Sequence, residues 1–70
     1  MVIAHFLVNG EERETREVPE QWLRDARANH ENVLLSDGNP YEVLNVEYRE
    51  HEGRMHARVE VVAPRFARGG

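Results

Sequence analysis

Residues 44–61 read LNVEYREHEGRMHARVEV, two runs of alternating apolar and polar residues around Glu52-Gly53. Alternation with period two marks a half-buried strand. A two-residue turn needs positive φ, which a glycine supplies without strain. Such a turn sets Tyr48 opposite Ala57, Val46 opposite Val59 and Leu44 opposite Val61 on one face. The other face then pairs Arg49 with His56, Glu47 with Arg58 and Asn45 with Glu60. Apolar meets apolar and Glu47 meets an opposite charge, so one register satisfies both strands. The expected strands are residues 41–49 and 54–62.

Working back toward the N-terminus, Pro40 lacks an N–H and belongs to a turn formed by residues 37–40, after a short strand over residues 32–36. Residues 19–30 read as a short helix. Pro19 suits the first turn, Glu20 precedes Arg24 by four residues, and Asn29 is a candidate left-handed cap. Trp22, Leu23 and Ala26 share the face expected to dock on the sheet, and packing must hold so short a helix. The first strand, residues 2–8, places Val2, Ala4, Phe6 and Val8 on one face and Ile3, His5 and Leu7 on the other, as in a central strand. Asn9-Gly10 is a strong hairpin signal. The charged return strand, residues 11–18, reads as a solvated edge. An uninterrupted two-residue register would face Val8 with Glu11, Phe6 with Arg13, His5 with Glu14 and Ile3 with Arg16. The leucine and valine pairs of the last hairpin, Leu44, Val46, Val59 and Val61, are expected to pack on Trp22 and Leu23.

The chain is therefore expected to be an α+β single small domain, ββαβββ, with one short helix on a mostly antiparallel sheet. The expected domain spans residues 1–63, with residues 64–70 a flexible C-terminal tail after the sheet-ending Pro64. The strand order is left open.

Composition bounds the function. Seventy residues with no cysteine make one small domain without disulfides or zinc–thiolate sites. That composition suits a cytoplasmic protein, since secreted domains of this size usually carry disulfides. The longest apolar run, residues 1–8, is strand-sized and far short of a membrane span. Thirteen acids against nine arginines give a net charge of −4, and lysine is absent. Nucleic acid is an unfavourable partner for such a chain. Tyr41 and Tyr48 could stack on bases, but Glu47 and Glu60 interrupt the arginines, and the register turns Tyr48 to the core.

No catalytic set converges. Ser36 and Thr15 are the only aliphatic hydroxyls, and neither sits in a glycine-rich elbow. The His5–Glu14 pair expected from the register reads as a cross-strand polar contact rather than an acid–base pair. His51 and His56, with Glu50 and Glu52, have metal-binding chemistry, but are expected on opposite strand faces at a solvated hairpin tip. The expected protein is no enzyme and takes no cofactor or metal.

The opening strand, tight hairpin and helix, together with Arg68-Gly69-Gly70, resemble ubiquitin-like β-grasp domains and the bacterial sulfur carriers. In those families the terminal glycine carboxylate is activated, a role that the resemblance assigns to Gly69 and Gly70. Their last strand also lies parallel beside the first, whereas here strand five is read in a tight hairpin with strand four. The reading favoured by the residues is a non-catalytic regulatory domain that binds another protein or a protein complex, as a monomer or weak homodimer. In size and composition the chain is similar to the accessory proteins with which bacteriophages bind a host machine such as RNA polymerase. The candidate contacts are Arg49, Arg54, His56 and Arg58 on the last hairpin and Arg65, Phe66 and Arg68 on the tail, where an aromatic between arginines has the composition of an interface anchor.

Overall fold

A computed structural model describes residues 1–63, so the candidate tail residues Arg65, Phe66, Arg68, Gly69 and Gly70 lie outside the described residues. The elements are β1 (Val2–Val8), β2 (Glu11–Val18), α1 (Glu20–Asn29), β3 (Asn32–Leu34), β4 (Pro40–His51) and β5 (Arg54–Val62). The Glu52-Gly53 turn closes β4 on β5, with φ of 51° and 77° at its two central residues. From His51–Arg54 to Asn45–Glu60 the ladder follows the register that the alternation demands, including Tyr48–Ala57, Val46–Val59 and Glu47–Arg58.

The register then shifts between Val43 and Asn45, and Val43 rather than Leu44 meets Val61. A bulge inserts one residue and returns the strand to phase. Val43 is fully buried, and Leu44, expected in the core, is 48% exposed. Both candidates are aliphatic, so hydrophobic pattern alone does not distinguish them.

A second bulge corrects the first hairpin. Val8 faces Glu11 across the Asn9-Gly10 turn, but the register shifts between Phe6 and Leu7. Phe6 then faces Glu14, His5 faces Thr15, Ala4 faces Arg16 and Ile3 faces Glu17. The expected pairs Phe6–Arg13, His5–Glu14 and Ile3–Arg16 do not form. Because side chains alternate, the inserted Arg13 moves Glu14 and Arg16 to the face of Phe6. There the Arg16 guanidinium lies 5.3 Å from the Phe6 ring centroid. Its Nη2 donates to the Leu34 carbonyl at 2.8 Å, while Glu14 accepts the Ser36 N–H at 2.7 Å. These contacts draw the segment after β3 against Phe6.

The sheet order is β2-β1-β5-β4-β3. Three pairings are antiparallel, and β5 runs parallel to β1. The last strand thus pairs with the first and forms a hairpin with β4. The order follows from burial: β1 and β5 carry the densest apolar faces and take the middle, and charged β2 is an edge. Val2, Ala4, Phe6 and Val8 join Ala57, Val59, Val61, Val43, Val46 and Val33 in one buried layer.

The helix covers that layer with Leu23 and Ala26. Trp22, assigned to the same face, is instead 37% exposed. Pro19 caps the start, and His30, one residue beyond Asn29, takes the left-handed cap with φ 52°. Strand β3 is shorter than expected and β4 longer, beginning at Pro40, where a strand's first residue needs no ladder N–H. One helix covers one face of the sheet. On the opposite face, Ile3, His5 and Leu7 of β1 are only half-buried.

Candidate binding face

Side-chain parity builds that second face. A two-residue turn leaves His51 opposite Arg54, so Glu47, Arg49 and His51 share a face with Arg54, His56, Arg58 and Glu60. The parallel β1–β5 pairing, Ile3 to His56 and His5 to Arg58, brings His5 beside them. His5, Glu47, Arg49, His51, His56 and Arg58, with Tyr48 and Ala57 beneath, line an open groove of about 490 Å³. His51 and His56 therefore meet on one face, contrary to the expectation from their spacing. Their ring centroids are 5.9 Å apart, edge to face.

His5 is the hub of the cluster. Its Nε2 lies 3.0 Å from His56 Nδ1, and the two rings stack with centroids 5.2 Å apart. Its Nδ1 lies 3.2 Å from Glu12 Oε2, which also accepts the Thr15 hydroxyl at 2.5 Å. A carboxylate only accepts, so His5 donates from Nδ1; when His5 is neutral its Nε2 accepts from His56 Nδ1–H. The Thr15 hydroxyl first, and His5 second, hold the Glu12 carboxyl below its ordinary value. Among the described residues, no group of three or more His, Asp or Glu side chains is arranged to hold a metal ion.

No known family, curated protein or solved structure matches this chain. What the face can do must come from its chemistry. Two guanidinium groups, three imidazoles and the Glu47 carboxylate line it, and at its rim Glu60 lies 3.8 Å from Arg58, Glu12 3.2 Å from His5 and Glu52 3.3 Å from His51. The groove is thus a concavity rich in arginine and histidine, with carboxylates at its rim. Of the sequence candidates, the fold brings Arg49, His56 and Arg58 together here. Arg54 is drawn aside, donating to Glu17 at 2.7 Å. Tyr41 donates its hydroxyl to Asp37 at 2.6 Å, and the Tyr48 ring lies under Arg24 on the helix side, so neither offers a stacking surface in the groove. His5 and His51 join the face without having been sequence candidates for it. The parity of the Glu52-Gly53 turn places His51; His5 depends on a pairing between the two ends of the chain.

Acid should unfold the protein through its hydrogen-bonded carboxylates. The Ser36 N–H, aided by Arg16, holds Glu14 below its ordinary value, and the Tyr41 hydroxyl, aided by the Asn39 N–H, does so for Asp37. A carboxyl depressed in the folded chain stabilises it fully above the unfolded value, and that contribution is lost as pH falls through the lower folded value. The melting temperature should therefore decline as pH falls through and below the ordinary glutamate value of 4.5. Glu14→Gln should flatten this acid limb relative to wild type in a calorimetric pH series. An unchanged limb would remove Glu14 from the linkage.

Proposed function

We propose that the protein is a non-catalytic binding module of a larger assembly, and that its open sheet face receives an acidic segment of a protein partner. The observation that carries this reading is the groove, where Arg49 and Arg58 lie among three imidazoles on a face that, among the described residues, no helix covers. Guanidinium groups suit a carboxylate-bearing partner because they form directed, charge-assisted hydrogen bonds. The hydroxyl of Thr15 is engaged by Glu12, and among the described residues no activated nucleophile lines the groove. A partner that binds only the folded chain also stabilises so small a domain by mass action.

Affinity capture from the native cell tests this reading with two paired baits. One is the full chain carrying His56→Ala and Arg58→Ala; the other carries Glu11→Ala and Arg13→Ala on β2. The β2 variant should retain the same partner as wild type. The groove variant, melting as a folded protein, should bind it at least about thirtyfold more weakly, equivalent to about 2 kcal/mol. Equal retention by both variants would contradict the reading.

A second reading is a ubiquitin-like modifier or sulfur carrier. It is favoured by the parallel placement of β5 beside β1, with one helix on a single face of the sheet. Its working residues would be Gly69 and Gly70, preceded by Arg68. Intact-mass analysis of the protein from the native cell should then find a thiocarboxylate or a conjugate, and a free carboxylate alone would count against it.

A further inference from the structure

Among the described residues, the outer edge of β4 is left unpaired over more than half its length. Strand β3 pairs only with Pro40–Glu42, and the Glu31 carbonyl takes the Val43 N–H at 3.2 Å. A two-residue turn makes His51–Arg54 a hydrogen-bonded pair, so alternation turns the N–H and C=O groups of His51, Arg49, Glu47 and Asn45 toward β5. Those of Val46, Tyr48 and Glu50 point away from the sheet, and among the described residues they have no backbone partner. Edge strands are normally guarded by bulges or inward-pointing charges. The β2 edge has both, in the bulge at Arg13 and in Glu14 and Arg16 turned toward Phe6. The β4 edge beyond Asn45 carries neither bulge nor proline.

This edge complements itself. In an antiparallel pair of β4 strands with a two-fold axis at Tyr48, Tyr48 faces Tyr48 of the second copy. Glu47 then faces Arg49 of the second copy, and Arg49 faces its Glu47. Both ion pairs lie on the open face. Moving the axis to Val46 or Glu50 breaks both pairs, and a one-residue slip inverts the faces. On the helix side, Arg24, Arg27, Val46 and Tyr48 line a notch of about 290 Å³ beside the edge. The Arg24 guanidinium already lies 5.4 Å from its own Tyr48 ring centroid. An incoming Tyr48 ring on that face enters the same notch, and the contact repeats by symmetry.

We propose that two copies of this chain pair through their β4 edges, antiparallel about Tyr48, to join their sheets into one, eight strands wide across the junction, with each β3 beside the Pro40–Glu42 part of its own β4. Such an interface is isologous, so each favourable contact occurs twice. Glu47 and Arg49 also line the groove, so the groove reading is tested separately, through His56 and Arg58. It predicts a charge-swap pattern in sedimentation equilibrium of the full chain. Wild type should show a concentration-dependent dimer. Glu47→Arg alone, or Arg49→Glu alone, sets like charges across the two-fold twice and should weaken association at least about tenfold. An equimolar mixture of these two variants, or the double variant Glu47→Arg/Arg49→Glu, restores opposite charges at both positions and should restore the dimer. The double variant carries the test should a single variant fail to fold. A wild type that stays monomeric to millimolar concentration would overturn the proposal. So would single variants that dimerise like wild type, or a mixture and double variant that both remain monomeric.

Discussion

Phe6→Ala should remove about a third or more of the domain's stability, and at the lower end of its range unfold it at room temperature. Phe6 is fully buried near the middle of β1, a strand paired on both sides. Its neighbours across the ladders are Glu14 and Val59, and the Arg16 guanidinium caps its ring. Truncating a buried phenylalanine costs about 3–5 kcal/mol, because the lost transfer energy adds to an unfilled cavity. A domain of this length has a total stability of only about 4–10 kcal/mol, at roughly 0.05–0.15 kcal/mol per residue. The substitution also removes the support for Arg16, which draws the segment after β3 to the sheet. Urea denaturation followed by circular dichroism should show loss of the folded baseline or a sharply lowered midpoint. An unfolding free energy within about 0.5 kcal/mol of wild type would place Phe6 outside the core.

Leu23→Ala should cost more than Trp22→Ala, although tryptophan is the larger side chain. Leu23 is fully buried beneath the helix, whereas Trp22 remains 37% exposed. Burying a leucine and then deleting it costs about 2–5 kcal/mol. The helix depends on this anchor, since ten residues without a side-chain N-cap have little stability of their own. Thermal melts of the two variants give the ranking directly. The reverse order would mean that α1 docks through the Trp22 side and that the helix is rotated about its axis.

What could be read in advance divides along physical lines. The β4–β5 hairpin was legible because alternation, a turn glycine and an opposite-charge pair agree on one register from His51 to Asn45. Its continuation failed at Leu44, where a bulge exchanges one aliphatic residue for another and leaves the pattern unchanged. The β2 bulge was hidden for a different reason. Residues 11–17 contain no apolar side chain to mark phase, so the insertion of Arg13 alters nothing that a hydrophobic pattern records. Trp22 and Leu23 lie three or four residues from Ala26, and either spacing suits a helix face. Only the backbone's docking angle separates them.

The site was legible in half. Arg49, His56 and Arg58 follow from the hairpin register, and His51 follows once the turn's parity is carried through two residues. His5 does not follow, because the parallel β1–β5 pairing joins chain ends and leaves no local mark. That pairing sets the character of the groove: without it, His56 loses the ring stacked on it and His5 faces no arginine strand. The fold thus gathers arginines and histidines from both ends of the chain onto one face.

The proposed working surface for an acidic partner is this face. The direct measurement is an amide chemical-shift titration of the labelled full chain with hexaglutamate at low salt, repeated at high salt, where exposed charges are screened. Shifts should concentrate at His5, Arg49, His56, Ala57 and Arg58 and vanish with added salt. Shifts confined to β2 or α1, or none at any peptide concentration, would contradict it.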